Sequence, residues 1–151
     1  MESGSAAMKA VIQRVKRAAV RIEGQSSEIG RGILVLAGLE RGDTEQTCAW
    51  AAAKIASLRL FEDDQGKLNL GLSEIGGEIL VVSQFTLAGS LERGRRPSFD
   101  NAMPQAEARP LFERFVELLM AQGVPVKTGF FREMMEVELI NDGPVTFVLE
   151  R

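Results

Sequence analysis

The chain has 151 residues, no histidine, one cysteine and a formal net charge of −3, a length that can bury a real core in one domain. Without imidazole a Ser-His-Asp arrangement is excluded, and without His or a Cys cluster no zinc or other transition-metal site is expected. No apolar run approaches the ~20 residues that span a bilayer, and the acidic balance argues against a whole-surface nucleic-acid binder and against DNA as a partner.

In chain order, residues 1–7 are small and polar, lacking the basic start and apolar stretch of a signal peptide. They read as a disordered extension or cloning remnant before a natural start at Met8, with residues 8–151 forming one domain. Val11 to Ile22 reads as two short strands separated at Arg17-Ala18, followed by a turn at Glu23-Gly24-Gln25. Gly32 to Gly38 is a buried apolar strand bounded by glycines. Asp43, followed three residues later by Gln46, reads as the N-cap of a helix running to about Ser57. Trp50, Ala53 and Ile55 are its candidate core residues. Cys48 lies on the apolar side of that helix, where packing is the expected role, and a lone thiol suits a reducing cytoplasm.

Leu58 to Phe61 reads as a short strand ended by Asp63-Asp64-Gln65-Gly66. That segment has the look of a calcium-loop fragment, but the later acidic ligand is missing, so a turn is expected. Gly77 to Ser83 is continuously apolar and suits a central strand covered on both faces. Gly89 to Pro104 is irregular, and a loop of that length is often functional. Pro104 opens a helix through Gln122 with Leu111, Phe115, Leu118 and Leu119 on one stripe. An extended segment follows at Val124 to Thr128. Met135 to Ile140 and Val145 to Leu149 are strands flanking Asn141-Asp142-Gly143-Pro144. The order indicates an α/β domain with a mixed sheet covered by helices.

Four features could carry chemistry. Ser83-Gln84-Phe85-Thr86-Leu87 closes the apolar strand, either as ordinary strand-end residues or as a turn aiming N–H groups and a hydroxyl at a ligand, an oxyanion-hole arrangement. Gly143-Pro144 is either a simple turn or a rigid presenter of backbone carbonyls. Arg14 is either a surface residue of an edge strand or a buried guanidinium, for which carbonyls near Gly-Pro would be suitable acceptors. Arg93, Arg95 and Arg96 form a local basic patch or a solvated loop.

Together these segments resemble the D-aminoacyl-tRNA deacylases, formerly D-tyrosyl-tRNA deacylases. The resemblance runs from Met8 to Glu150 through Ala10-Val11-Ile12-Gln13-Arg14-Val15, Leu58-Arg59-Leu60-Phe61, Ser83-Gln84-Phe85-Thr86-Leu87, Gly94-Arg95-Arg96-Pro97-Ser98-Phe99 and Asn141-Asp142-Gly143-Pro144-Val145-Thr146. It implies an α/β fold with a barrel-like mixed sheet, a cytoplasmic homodimer and two sites at the subunit interface. It also implies hydrolysis of the ester joining a D-amino acid, or glycine, to the 3′-terminal adenosine of tRNA, with no metal or other cofactor. A cis Gly143-Pro144 of one subunit would enter the pocket of the other and exclude L side chains.

By the same resemblance Thr86, Gln84, Ser83 and the N–H of Phe85 form the catalytic group. Gly143, Pro144, Asn141, Val145, Thr146, Arg14, Phe99 and Met135 bind substrate, and Arg95, Arg96 and Arg132 are candidates to contact tRNA. The family usually has Gly-x-Phe-Gly-Ala-x-Met before its last strands. Here Gly129, Phe131 and Met135 keep that pattern, while Arg132-Glu133 replaces the small pair. A non-catalytic tRNA-end binding module is the alternative from another class, and an editor of a small L-amino acid the alternative within the fold.

Overall fold

The computed structural model describes residues 8–131 and 134–150. Its strands are β1 (Lys9–Ile22), β2 (Gln25–Ile29), β3 (Gly32–Gly38), β4 (Phe61–Glu62), β5 (Leu68–Leu70), β6 (Glu78–Ser83), β7 (Val126–Thr128) and β8 (Glu136–Leu149). Helices α1 (Glu45–Ser57), α2 (Leu72–Ile75) and α3 (Gln105–Met120) complete it, with a 3-10 turn at Phe85–Ala88. The main sheet is mixed. β1 pairs antiparallel with β2, β3 and β8, whereas β3–β6 and β6–β7 are parallel. The strand order is β2-β1-β3-β6-β7, with β8 paired to β1 off this path, in a nearly closed, barrel-like sheet.

The apolar run of β6 explains the layering. Ile79 and Val81 pack with Ile12, Ile33 and Val35 against Cys48, Ala52 and Ile55 of α1 and Phe115 and Leu119 of α3. Leu80 and Val82 face the other way, joining Val15, Val20 and Leu34 under Phe130, Met135 and Leu139. A strand covered on both faces needs apolar residues at every position, which is what made β6 readable.

Several expectations change. β1 is one strand, not two. Its break in alternation near Arg17 marks register shifts between Gln13 and Arg17, not a chain turn. Arg17 and Arg21 stay on the strand and pair with Glu138 at 3.6 and 2.7 Å. The α1 cap is Thr44, whose Oγ1 accepts from the N–H of Thr47 while Thr47 Oγ1 accepts from the N–H of Thr44. Asp43 instead accepts from the Glu40 N–H at 2.7 Å and is buried, which pushes its carboxyl pKa up. On α1, Ala53 is exposed while Ala51 and Ala52 are buried. The buried stripe of α3 is Phe112, Phe115, Val116 and Leu119, with Leu111 and Leu118 only half-buried. Strand pairing near Leu58 is confined to Phe61–Glu62 opposite Leu68–Leu70. Asp63 holds the intervening turn by accepting from the N–H groups of Gln65 and Lys67.

Cys48 is fully buried, and burial raises its thiol pKa to about 12. The thiolate, which is the reactive form, is therefore scarce at neutral pH. Native protein should resist iodoacetamide at pH 8 for hours and react within minutes in denaturant; rapid native labelling would contradict this packing.

Candidate active site

β6 delivers Ser83 and Gln84 to the end of the sheet, where the Gln84 N–H donates to the Ala37 carbonyl at 2.8 Å and ends the ladder. The chain then winds into the 3-10 turn, leaving Phe85 and Thr86 exposed. Gln84 Nε2 donates to Thr86 Oγ1, orienting that hydroxyl. The Leu87 N–H donates to the Gln84 carbonyl, but among the described residues the N–H groups of Phe85 and Thr86 have no acceptor.

Ser83, Gln84, Phe85 and Thr86 form one wall of a cleft of about 700 Å³. Leu39, Phe99, Met103, Phe131, Met134, Met135 and Val137 also line it. No acidic or basic side chain is among its described lining residues. Among the described residues the cleft therefore offers main-chain N–H groups, two hydroxyls, amides and apolar surface, and no ionisable general base. Gln105, which the sequence reading missed, also lines it. Its Oε1 is buried without a donor among the described residues.

The second group of candidates lies elsewhere on the chain. On β8, Thr146 pairs with Gln13 and Asn141 with Val15, so residues 142–145 stand opposite Arg14 alone. The extra residues leave the ladder as a large bulge. Asn141 closes its neck: Oδ1 accepts from the Val145 N–H at 2.7 Å, while Nδ2 donates to the Val145 carbonyl at 3.2 Å and to Thr146 Oγ1 at 3.0 Å. Arg14 fills the space beneath. Nε donates to the Asp142 carbonyl and Nη1 to the Leu60 carbonyl, both at 2.8 Å, and the residue is only 6% exposed. Gly143-Pro144 is cis and stands exposed at the tip of the bulge, with Gly143 at φ +150°.

The structure thus brings Ser83, Gln84, Phe85, Thr86, Phe99 and Met135 into one cleft. It brings Arg14, Asn141, Gly143, Pro144, Val145 and Thr146 into one bulge, and within a chain none of these lines that cleft. Arg95 and Arg96 are exposed in the loop before Phe99. Arg132, with Glu133, lies outside the described residues.

Fold and cleft together define a mixed α/β protein with a cleft at the end of a central strand, lined by Ser83, Gln84, Phe85 and Thr86. The family model for D-Tyr-tRNA(Tyr) deacylase matches residues 11–150. A protein of Geobacter sulfurreducens named D-aminoacyl-tRNA deacylase is 58% identical over 95% of this chain and 95% of its own length. One of the same name from Carboxydothermus hydrogenoformans is 53% identical over 95% and 99%. A solved structure described as the c-Myc DNA Unwinding Element Binding Protein superposes with a TM-score of 0.88 at 42% identity, covering 95% of this chain and 98% of that one. Another, described as a probable eukaryotic D-amino acid tRNA deacylase, gives a TM-score of 0.82 over 96% and 100%. At 18% identity it shows the common fold alone. The chain belongs to the D-Tyr-tRNA(Tyr) deacylase family and is an enzyme of the D-aminoacyl-tRNA deacylase kind.

Proposed function

We propose that the protein hydrolyses the ester between a D-amino acid or glycine and the 3′-terminal adenosine of tRNA, releasing both, and rejects L-amino acids by collision with main chain. The observation that carries this reading is the pair of N–H groups at Phe85 and Thr86 that have no acceptor among the described residues, beside a cleft whose described lining residues carry no ionisable side chain. Water adds to the ester carbonyl, and the oxygen that gains charge is held by those N–H groups. The ribose 3′-oxygen then leaves and takes up a proton. An aminoacyl ester is already activated, and the neighbouring 2′-hydroxyl can position the water, so the protein need supply no imidazole.

Chirality is assigned to Gly143-Pro144 of a second subunit. The bulge that carries it does not line its own chain's cleft, and β8 around it exposes Val137, Ile140, Phe147 and Val148. Among the described residues β8 pairs with β1 alone, so it is a long edge strand with exposed apolar side chains, of the kind that natural proteins cover. A homodimer would bury that edge and bring each bulge to the other subunit's cleft. A wall of backbone atoms cannot adapt its shape, so an L substituent collides with it while hydrogen or a D substituent projects elsewhere. The expected compartment is the cytoplasm, where a single buried free thiol is at home.

The test is hydrolysis of D-tyrosyl-tRNA, glycyl-tRNA and L-tyrosyl-tRNA by purified protein with a chelator present. Loss of the first two with the third spared is expected. Persistence of all three while tRNA still binds would overturn the reading in favour of a binding module. Thr86→Ala is expected to lower kcat about tenfold, the size of one lost hydrogen bond, because the N–H groups remain. Complete loss with a trapped acyl-enzyme would instead make Thr86 the nucleophile.

A further inference from the structure

Phe85 and Phe99 are 48% and 39% exposed, and their rings lie 5.3 Å apart at a 53° tilt at the mouth of the cleft. Large aromatic surfaces left in water next to a reactive turn need a reason. Their placement is built: a Cβ on Gly89 would sit 2.8 Å from Phe99 Cε1, so only glycine lets the ring lie against the backbone there. Ser90 and Ser98 exchange two main-chain hydrogen bonds, Ser90 N–H to Ser98 carbonyl at 2.7 Å and the reverse at 2.9 Å. That bridge pinches residues 91–97 into a projecting loop and holds Phe99 at its base.

The loop carries Arg93, Arg95 and Arg96 against one carboxylate, Glu92. All three arginines are exposed, and none has an ion-pair or hydrogen-bond partner among the described residues. Arg14, Arg17, Arg21, Arg41, Arg59, Arg109 and Arg114, by contrast, each have one. Arg96 precedes Phe99 by three residues, so their Cα atoms lie within about 11 Å. In an acidic protein, uncompensated positive charge is thus concentrated beside two open aromatic faces.

Aromatic faces flanked by backbone-tracking cations are the physical requirement for holding single-stranded nucleic acid. We propose that the Phe85–Phe99 pair stacks on the base of the nucleotide preceding the terminal adenosine, and that Arg95 and Arg96 engage the phosphates leading to it. This rests on the hydrolytic reading above and adds the path of the acceptor strand. The stacking is sequence-tolerant, because every base has a π face. It orients the strand so that the ester meets the N–H groups of Phe85 and Thr86.

The experiment compares kcat/KM for two esters, 2′(3′)-O-D-tyrosyl-adenosine and the D-tyrosyl ester of the trinucleotide CCA, in wild type and Phe99→Leu. Wild type should prefer the trinucleotide ester about tenfold, the usual scale of one stacked base, and Phe99→Leu should bring the ratio near one. Phe99→Tyr, which keeps the face, should restore it. With D-tyrosyl-tRNA, the double variant Arg95→Ser/Arg96→Ser should flatten the log–log dependence of kcat/KM on salt by about 1.4, as expected for two lost single-strand phosphate contacts. Equal rates on both esters in wild type would overturn this proposal and leave the hydrolytic function standing. A ratio in Phe99→Leu within twofold of wild type would do the same. So would a change of oligomeric mass in Phe99→Leu, which would make the ring a subunit contact. Failure of wild type on both esters would overturn both readings.

Discussion

Replacing Gly143 by alanine is expected to lower kcat/KM on D-tyrosyl-tRNA at least a hundredfold while leaving the fold intact. Two features of the residue drive this. Its φ of +150° is a conformation that L side chains rarely adopt, and an added Cβ would lie 2.7 Å from Val145 Cγ2 and 2.8 Å from the Val145 nitrogen. The second contact is to backbone, which Asn141 pins from both sides at the neck of the bulge, so no rotamer change relieves it. The tip must therefore shift, and displacement of about 1 Å in a positioning element costs on the order of 10²-fold in rate. Gly143 and Pro144 are exposed and touch neither core cluster, so the melting temperature should fall by only a few degrees. Residual activity within tenfold of wild type would remove the bulge tip from the catalytic apparatus.

The difference between what could and could not be read in the chain follows from the range of the interactions. Ile79 to Val82 announced a central strand because burial on both faces leaves its mark on every residue. Gly32 to Gly38 did so for the same reason. β1 reads as two strands because its register shifts invert the alternation of burial, which in sequence looks like the end of a strand; β8 reads as two because Asn141-Asp142-Gly143-Pro144 has the chemistry of a turn. Only the pairing of β1 with β8, across more than a hundred residues, shows that both continue. The cap of α1 slipped by one residue because Asp43 and Thr44 are both good caps, and burial against Glu40 claims Asp43. The cleft was legible where it is local, at Ser83 to Thr86. Gln105 was not, since an orphaned acceptor exists only once its surroundings have folded around it. The Leu60 carbonyl escaped notice too, because nothing in a leucine signals what its backbone will accept.

That carbonyl sets the remaining large expectation. Arg14→Met should cost about 3 kcal/mol, near the low end for breaking a buried charged interaction, and lower the melting temperature by roughly 10 °C. The guanidinium is buried between two carbonyls, those of Asp142 and Leu60, each at 2.8 Å, and methionine can serve neither. Glu62 and the Asp142 carboxylate, at 3.7 and 3.9 Å, are too distant to hydrogen-bond and add only through-space attraction. Arg14→Lys separates geometry from charge. An ammonium keeps the charge but lacks the planar fork that spans both carbonyls, so it should retain one contact and recover about half the stability. The same variant should still lose function, because Asp142 adjoins Gly143 and its carbonyl anchors the base of the bulge. Assayed well below its melting temperature, Arg14→Lys should cleave D-tyrosyl-tRNA more slowly and begin to cleave L-tyrosyl-tRNA, which the wild type spares. A variant equal to wild type in both stability and discrimination would show that the guanidinium neither supports the fold nor positions the wall.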